Sequence, residues 1–450
     1  MDLLKDNVQK IYIRYLAAAF GSALITSVYS VVDMAMVGQY HGPNGTAALA
    51  VIAPVWNVIY SLGLLTGIGG SVLFSMRRGQ RAGENGAENE YFTVSVGFSA
   101  VLAVFTWAVI LLFEKPILTF FGADETLLPM AVAYLKPVLF VFPAFLLNQM
   151  LAAFLRNDNN PGLATAGVLA GGVFNMIGDY VFVFTFDLGI FGAGLATAIG
   201  SVLSLVVMLS HFVSKKNTLK LVKIESTMKK VREITVTGFS TFFIDVAMGI
   251  LTILFNRQIM RYLGSDALAV YGPIINISTF VQCCAYSVGQ AAQPIISTNY
   301  GAGKGSRIRE ALRCSLYATA FFSIFWTALS LACPNLYICI FMTPTSRILE
   351  IAPRIIRSYA ISFLLLPLNI YSTYYFQALL KPKAAFLVSV ARGLVISGLL
   401  ILILPVACGP DSIWFAMPVT ELVTAIYAIT AMRRYTHTLP EERTIPSRRV

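Results

Sequence analysis

Apolar residues in this chain come in blocks of about twenty or more, divided by short polar stretches. At about 1.5 Å of rise per residue, a helical block of that length matches the hydrocarbon thickness of a bilayer. Such blocks run over 11–38, 47–76, 91–113, 127–155, 161–186 and 190–213, and again over 231–262, 267–299, 307–333, 347–380, 383–407 and 412–432. The pattern predicts an all-α integral membrane protein with about twelve transmembrane helices. The polar opening, Met1 to Lys10, leads into an apolar block longer than a signal-peptide core and without a clear small-residue cleavage site, so the first block is read as an uncleaved span.

Orientation follows from the polar gaps. Most of the 33 Lys and Arg fall in alternate gaps: Lys5, Lys10 and Arg14; Arg77, Arg78 and Arg81; the stretch Lys215 to Arg232; Lys304 to Arg313; and Arg433, Arg434, Arg443, Arg448 and Arg449. Because cytoplasmic loops collect basic residues, both termini are expected in the cytoplasm, with the chain multi-pass in the cell (inner) membrane. Only 12% of residues are charged and 57% are hydrophobic, about half the charged share of a soluble domain. The formal net charge of +11 is then a membrane-topology signal, and nucleic acid is not an expected partner. Six cysteines without paired spacing and three scattered histidines, His41, His211 and His437, suggest neither a disulfide framework nor a metal cluster. No nucleophile and base stand at a recognisable spacing, so an enzyme is not expected, nor a cofactor.

The most basic gap, Ser214 to Arg232, lies at the midpoint and divides the chain into residues 1–222 and 223–450. Laid over each other, the halves align Gly45 with Gly264, Ala48-Leu49-Ala50-Val51 with Ala267-Leu268-Ala269-Val270, Pro54 with Pro273, Asn57 with Asn276 and Gly70 with Gly289. Pro143 pairs with Pro367 after a small insertion. Each half holds six spans, an even number, so the copies share one topology: two six-helix bundles related by a pseudo-two-fold axis along the membrane normal. Transporter repeats of this kind enclose a path that opens to alternate sides, and channels use repeats as well.

An ionisable side chain within the hydrocarbon costs about 2.5–3.5 kcal/mol on insertion scales. Asp33, Asp179, Asp245, Arg392 and Glu421 are the clear cases. Asp33 and Asp179 lie at similar distances along two outward-running spans and so at similar depth. Asn175, four residues before Asp179, shares its helical face, and Thr197 reaches the same level on the returning sixth span. Two carboxylates, an amide and a hydroxyl in a low-dielectric setting suit either a proton shared between acids or Na⁺, a hard cation that takes oxygen ligands. The alternative is that each Asp caps or bonds a neighbouring helix. Asp245 reads equally as structural or substrate-facing, Arg392 is expected either to pair with a carboxylate or, the favoured reading, to snorkel to the cytoplasmic boundary, and Glu421 has no assignment.

Other patterns are weaker. Gly301-Ala302-Gly303-Lys304-Gly305-Ser306 lacks the spacing of a phosphate loop and reads as a tight turn. Gly167 and Gly171 form a GxxxG of the helix-packing kind, and Asn160-Pro161 reads as a helix cap. Tyr29, Asn57, Tyr60, Asn148, Gln149, Asp245, Asn276, Gln282, Tyr371 and Tyr374 place polar or aromatic groups within spans, as candidates for lining a cavity that takes organic cations.

The run Asn175-Met176-Ile177-Gly178-Asp179, then Gly189-Ile190-Phe191-Gly192-Ala193-Gly194-Leu195-Ala196-Thr197, resembles the fifth and sixth helices of the multidrug and toxic compound extrusion (MATE) family. Asp33 with Met36-Val37-Gly38 is similar to its first helix, and Gln290 to Ile296 with Asn299-Tyr300-Gly301-Ala302-Gly303 to its bacterial branch. The resemblance covers nearly the whole chain. It implies a secondary active exporter of bulky, often cationic organic compounds in exchange for H⁺ or Na⁺, functional as a monomer, with the coupling cation at Asp33, Asn175, Asp179 and Thr197. The chain departs from the family twice: some relatives bend the first helix at a proline, absent here between Ile11 and Val37, and the tenth span carries no acid from Ile355 to Leu380. A flippase for a lipid-linked saccharide, from the same superfamily, is the alternative reading.

Overall fold

The computed structural model describes residues 2–80, 86–224, 226–341 and 344–440. Arg81, Arg443, Arg448 and Arg449, counted in the charge pattern, lie outside them. Among the described residues the chain is helical and forms no strand. Eleven helices among these residues are long and apolar enough to cross a membrane: Val8–His41, Asn44–Gln80, Asn89–Phe120, Pro161–Thr185, Gly189–Val213, Thr227–Tyr262, Ser265–Gly301, Gly305–Ala332, Ser346–Ala378, Pro382–Ala407 and Pro410–His437. The remaining span, fourth in order, is a pair, Leu127–Phe140 and Phe142–Asn157, bent by 62°. A short helix, Pro334–Phe341, precedes the tenth span.

Proline accounts for the interruptions. Val141 leaves helical geometry (φ −119°, ψ 15°) and the helix restarts with Pro143 in its first turn, where a missing N–H costs nothing. The tenth span is broken in the same way: a 3₁₀ turn, Ile361–Leu364, precedes a restart that carries Pro367 in its first turn. The paired prolines of the repeat thus mark paired breaks. The first span runs unbroken for 34 residues, in keeping with its lack of proline.

The chain divides into two compact units. One, Ala17–Phe74 with Glu84–Asp245, holds Asp33; the other, Met1–Leu16 with Ser75–Gly83 and Val246–Val450, holds Arg392. In the Asp33 unit, glycines let helices touch backbone to backbone. A Cβ added at Gly171 would lie 2.5 Å from the Gly200 carbonyl oxygen, and one at Gly238 2.1 Å from that of Leu65. The GxxxG of Gly167 and Gly171 is therefore a packing seam against the sixth span. The connection after that span is pinned to the unit: the Thr218 and Lys220 amides donate to Asp158 and Asn89 at 2.9 and 3.0 Å, and the Val222 amide to Thr93 Oγ1 at 3.0 Å. Asn160 holds the N-cap position of the fifth span with Pro161 in its first turn, its carbonyl accepting from the Leu163 amide at 3.2 Å, but its side chain makes no cap bond; its Nδ2 lies 3.1 Å from His211 Nδ1, and His211 Nε2 lies 2.7 Å from Asp158 Oδ2.

In the Arg392 unit, the chain's first residues belong to the core. Val8, Ile11, Tyr12 and Tyr15 are buried with Val288, Ile295, Ile308, Tyr371 and Tyr375. The Gly301–Gly305 stretch is the tight turn read from the sequence, with Gly303 at φ 71°, and Lys304 Nζ donates to the Leu4 carbonyl at 2.9 Å.

A candidate cation site in the Asp33 unit

Four spans bring side chains to one point. Asn175 and Asp179 stand a turn apart on the fifth span, both buried, Asp179 completely. Just beyond Asp179 the helix widens into a π turn, Val181–Thr185, a feature that recurs at functional sites. The sixth span comes close because small residues face its neighbours. An added Cβ at Gly178 would meet Ala196 Cβ at 3.0 Å, and one at Gly194 would meet the Tyr134 carbonyl oxygen at 2.1 Å.

That proximity places Thr197 within reach. Asn175 Nδ2 donates to Thr197 Oγ1 at 3.0 Å and lies 3.5 Å from Asp179 Oδ1. Tyr134, from the fourth span, donates its hydroxyl to Asp33 Oδ2 at 3.1 Å and lies 3.3 Å from Thr197 Oγ1. The structure thus gathers all four residues expected to form the site. Tyr134, the central linker, was not expected. Its sequence signal was depth: it stands about two turns into its span, as Thr197 does in the sixth.

Three buried oxygens are left over. Asp33 Oδ1, Asn175 Oδ1 and Asp179 Oδ2 have no hydrogen-bond partner among the described residues. Buried acceptors without partners are costly, and no Lys or Arg bonds to this group among the described residues. An oxygen-only donor set with two carboxylates suits a proton or a hard monovalent cation, and lacks the thiolate and imidazole ligands of a transition-metal site. No cluster of three or more His, Cys, Asp or Glu with metal-binding geometry exists among the described residues.

The cavity candidates divide. Asn148 donates Nδ2 to Ser201 O and Oγ at 2.9 and 3.1 Å, and Gln282 donates to Ser278 Oγ at 3.3 Å. Tyr371 is enclosed beside Tyr375, and Tyr374 presses on Gly289. All four are buried, Asn148 in the Asp33 unit and the other three in the Arg392 unit. Asn57, Tyr60 and Asn276 are exposed, while Tyr29, Gln149 and Asp245 are half-buried, Tyr29 with its ring against Gly172.

Arg392 does not snorkel. It is 1% exposed, within a π turn (Ala391–Val395), and its Nε donates to Glu421 Oε1 at 2.7 Å. Asn369 Nδ2 donates to the Glu421 carbonyl at 2.8 Å and to Oε2 at 2.6 Å. A fully buried carboxylate draws the guanidinium inward, because each compensates the other's loss of water. The same amide bond thus occurs in both units, Asn148 to the Ser201 carbonyl and Asn369 to that of Glu421, with the hydroxyl replaced by an ion pair in the second.

The MatE family profile matches residues 18–181 and again 239–402, one match in each half. The chain belongs to this family. The multidrug export protein MepA of Staphylococcus saprophyticus is 26% identical over 302 residues, 67% of this chain and 66% of that protein. MepA of Staphylococcus aureus (strain NCTC 8325 / PS 47) is 23% identical over 427 residues, 94% of this chain and 93% of its own. A multidrug resistance MATE family transporter of the MOP superfamily, solved in an outward-facing conformation, aligns with a TM-score of 0.88 at 19% identity, covering 97% of this chain and 98% of that one. The MOP superfamily transporter of Pyrococcus furiosus, described as having a binding pocket of reversed polarity that suggests a different function, aligns equally well, with a TM-score of 0.88, 19% identity and the same coverage. These solved structures share the fold.

Proposed function

We propose that this MatE-family protein is a secondary active exporter of bulky, often cationic organic compounds, driven by exchange for H⁺ or Na⁺ at Asp33, Asn175, Asp179 and Thr197. The observation that carries the reading is the set of three unpartnered oxygens on Asp33, Asn175 and Asp179, held in place by Tyr134 and Thr197. A proton or Na⁺ arriving there changes the site's charge by one and disfavours a cationic substrate; release of the ion on the other side restores the negative site. Each charge moved down a membrane potential is worth about 2.3 kcal/mol per 100 mV. Both termini lie in the cytoplasm in this reading, the basic gaps facing inward, and one chain suffices. The exposed Asn57, Tyr60 and Asn276, with half-buried Tyr29, Gln149 and Asp245, offer polar and aromatic contacts to substrate.

The test is efflux of a fluorescent organic cation from proteoliposomes under an imposed pH gradient, then under a Na⁺ gradient, with wild type beside Asp33→Asn and Asp179→Asn. Gradient-driven flux in the wild type that both variants lose, with membrane insertion unchanged, supports the assignment and names the ion. Undiminished flux in Asp33→Asn removes the cation site, and wild-type flux independent of either gradient makes the protein a passive pathway. Scrambling of a lipid-linked saccharide, with no dye flux under either gradient, points to a flippase.

A further inference from the structure

The Arg392 unit contains a cavity of about 600 Å³ between the ninth, tenth and twelfth spans. Its two ends differ in chemistry. Arg309, at the start of the ninth span, and Arg433, Thr436 and His437, at the end of the twelfth, gather at one end. Leu312 and Leu316 on the ninth span, Leu368 on the tenth and Ile429 on the twelfth form the other. Arg309, Arg433 and His437 are exposed, and neither arginine forms an ion pair among the described residues. From Arg309 to Leu316 is two helical turns, about 10 Å.

We propose that this groove binds one anionic phospholipid, its phosphate held by Arg309 and Arg433 at the membrane boundary and an acyl chain laid along Leu312, Leu316, Leu368 and Ile429. Charge complementarity selects this occupant. Two guanidinium groups without an ion-pair partner among the described residues, at the rim of an apolar slot, match a ligand that is anionic at one end and hydrocarbon for the next ten ångströms. Basic pockets between transmembrane helices bind acidic lipid headgroups in this way, and arginine forks suit phosphate oxygens. A zwitterionic lipid fills the slot equally well but cancels its own charge beside the arginines. The inference does not depend on the ion coupling proposed above, and Arg309, Arg433 and Leu316 are remote in sequence and fold unit from Asp33.

The test reconstitutes the full chain in nanodiscs of equimolar phosphatidylglycerol and phosphatidylcholine, re-extracts it in mild detergent and counts the lipids it retains by native mass spectrometry. The wild type is expected to retain one phosphatidylglycerol in preference to phosphatidylcholine. At about 1 kcal/mol per basic residue near a lipid surface, Arg309→Ala with Arg433→Ala lowers that preference roughly thirtyfold, while Arg309→Lys with Arg433→Lys keeps most of it. Leu316→Trp, which fills the slot, reduces retention of both lipids. Truncation after Pro440 is expected to leave the preference intact. Equal retention of the two lipids by the wild type overturns the proposal, as does an unchanged preference in the double alanine variant or a preference lost with the truncation. Unaltered helical circular dichroism in each variant keeps loss of binding apart from loss of fold.

Discussion

Tyr134 has the strongest claim on attention at the scale of single residues, because one hydroxyl touches both the Asp33 carboxylate and Thr197. Hydrogen bonds to charged groups contribute about 1.5–3 kcal/mol. Tyr134→Phe is therefore expected to lower gradient-driven efflux about tenfold or more while leaving insertion and yield unchanged, measured in the proteoliposome assay. The acids, the amide and the threonine were legible in the sequence because ionisable groups in a bilayer need a reason and helical spacing put them at one depth. A tyrosine needs no such reason in an apolar span, so Tyr134 raised no alarm. For Arg392 the sequence left pairing with a carboxylate open but favoured snorkelling for a related reason: a long cation can snorkel, and its partner is 29 residues away, a pairing no helical spacing predicts. Removing one member of a buried pair costs about 3–5 kcal/mol, whereas an apolar replacement of both is often neutral. Arg392→Ala is thus expected to lower the thermal unfolding midpoint sharply, and Arg392→Met with Glu421→Leu to recover most of the loss.

At the scale of helices, the hydrophobic blocks located every span, since a segment that must satisfy its backbone in lipid has no other form available. The ends were less legible. The second span reaches Gln80 and the seventh opens at Thr227, beyond the apolar blocks, because polar residues extend a helix once it leaves the hydrocarbon. The breaks at Val141 and Ile361–Leu364 were marked by Pro143 and Pro367, but a proline in a span does not fix the angle; neighbouring helices do. Close approach depends on glycines whose role only contact reveals. Gly194→Ala would drive a methyl group to 2.1 Å from the Tyr134 carbonyl oxygen, and overpacking of this sort costs about 1–3 kcal/mol. It is expected to displace Tyr134 from Asp33, so that efflux falls more than thermal stability does; the two measured on one preparation separate the effects.

For the whole chain, the compact units are not simple sequence halves. The Asp33 unit includes residues up to Asp245, and the Arg392 unit includes Met1–Leu16 and Ser75–Gly83. Midpoint charge and the internal repeat were legible in the sequence; where along a helix one core gives way to another was not, since the apolar pattern continues across the change. Expressed alone, residues 1–222 lack the segment whose Ile234 and Gly238 lie against Gly69 and Leu65. They are expected to accumulate poorly and to elute as aggregate in fluorescence-detected size exclusion, with co-expression of 223–450 restoring a single peak. A monodisperse 1–222 would mean that the unit closes without the seventh span.

The burial of Tyr12 and Tyr15 beside Val288, Tyr371 and Tyr375 also sets an order of events during synthesis. Both tyrosines pack against side chains translated far later, so the first span must wait in the membrane, inserted but unfinished, until the tenth span arrives. Contacts so distant along the chain form late, and during that interval the first span's Tyr12 and Tyr15 face the membrane without their partners.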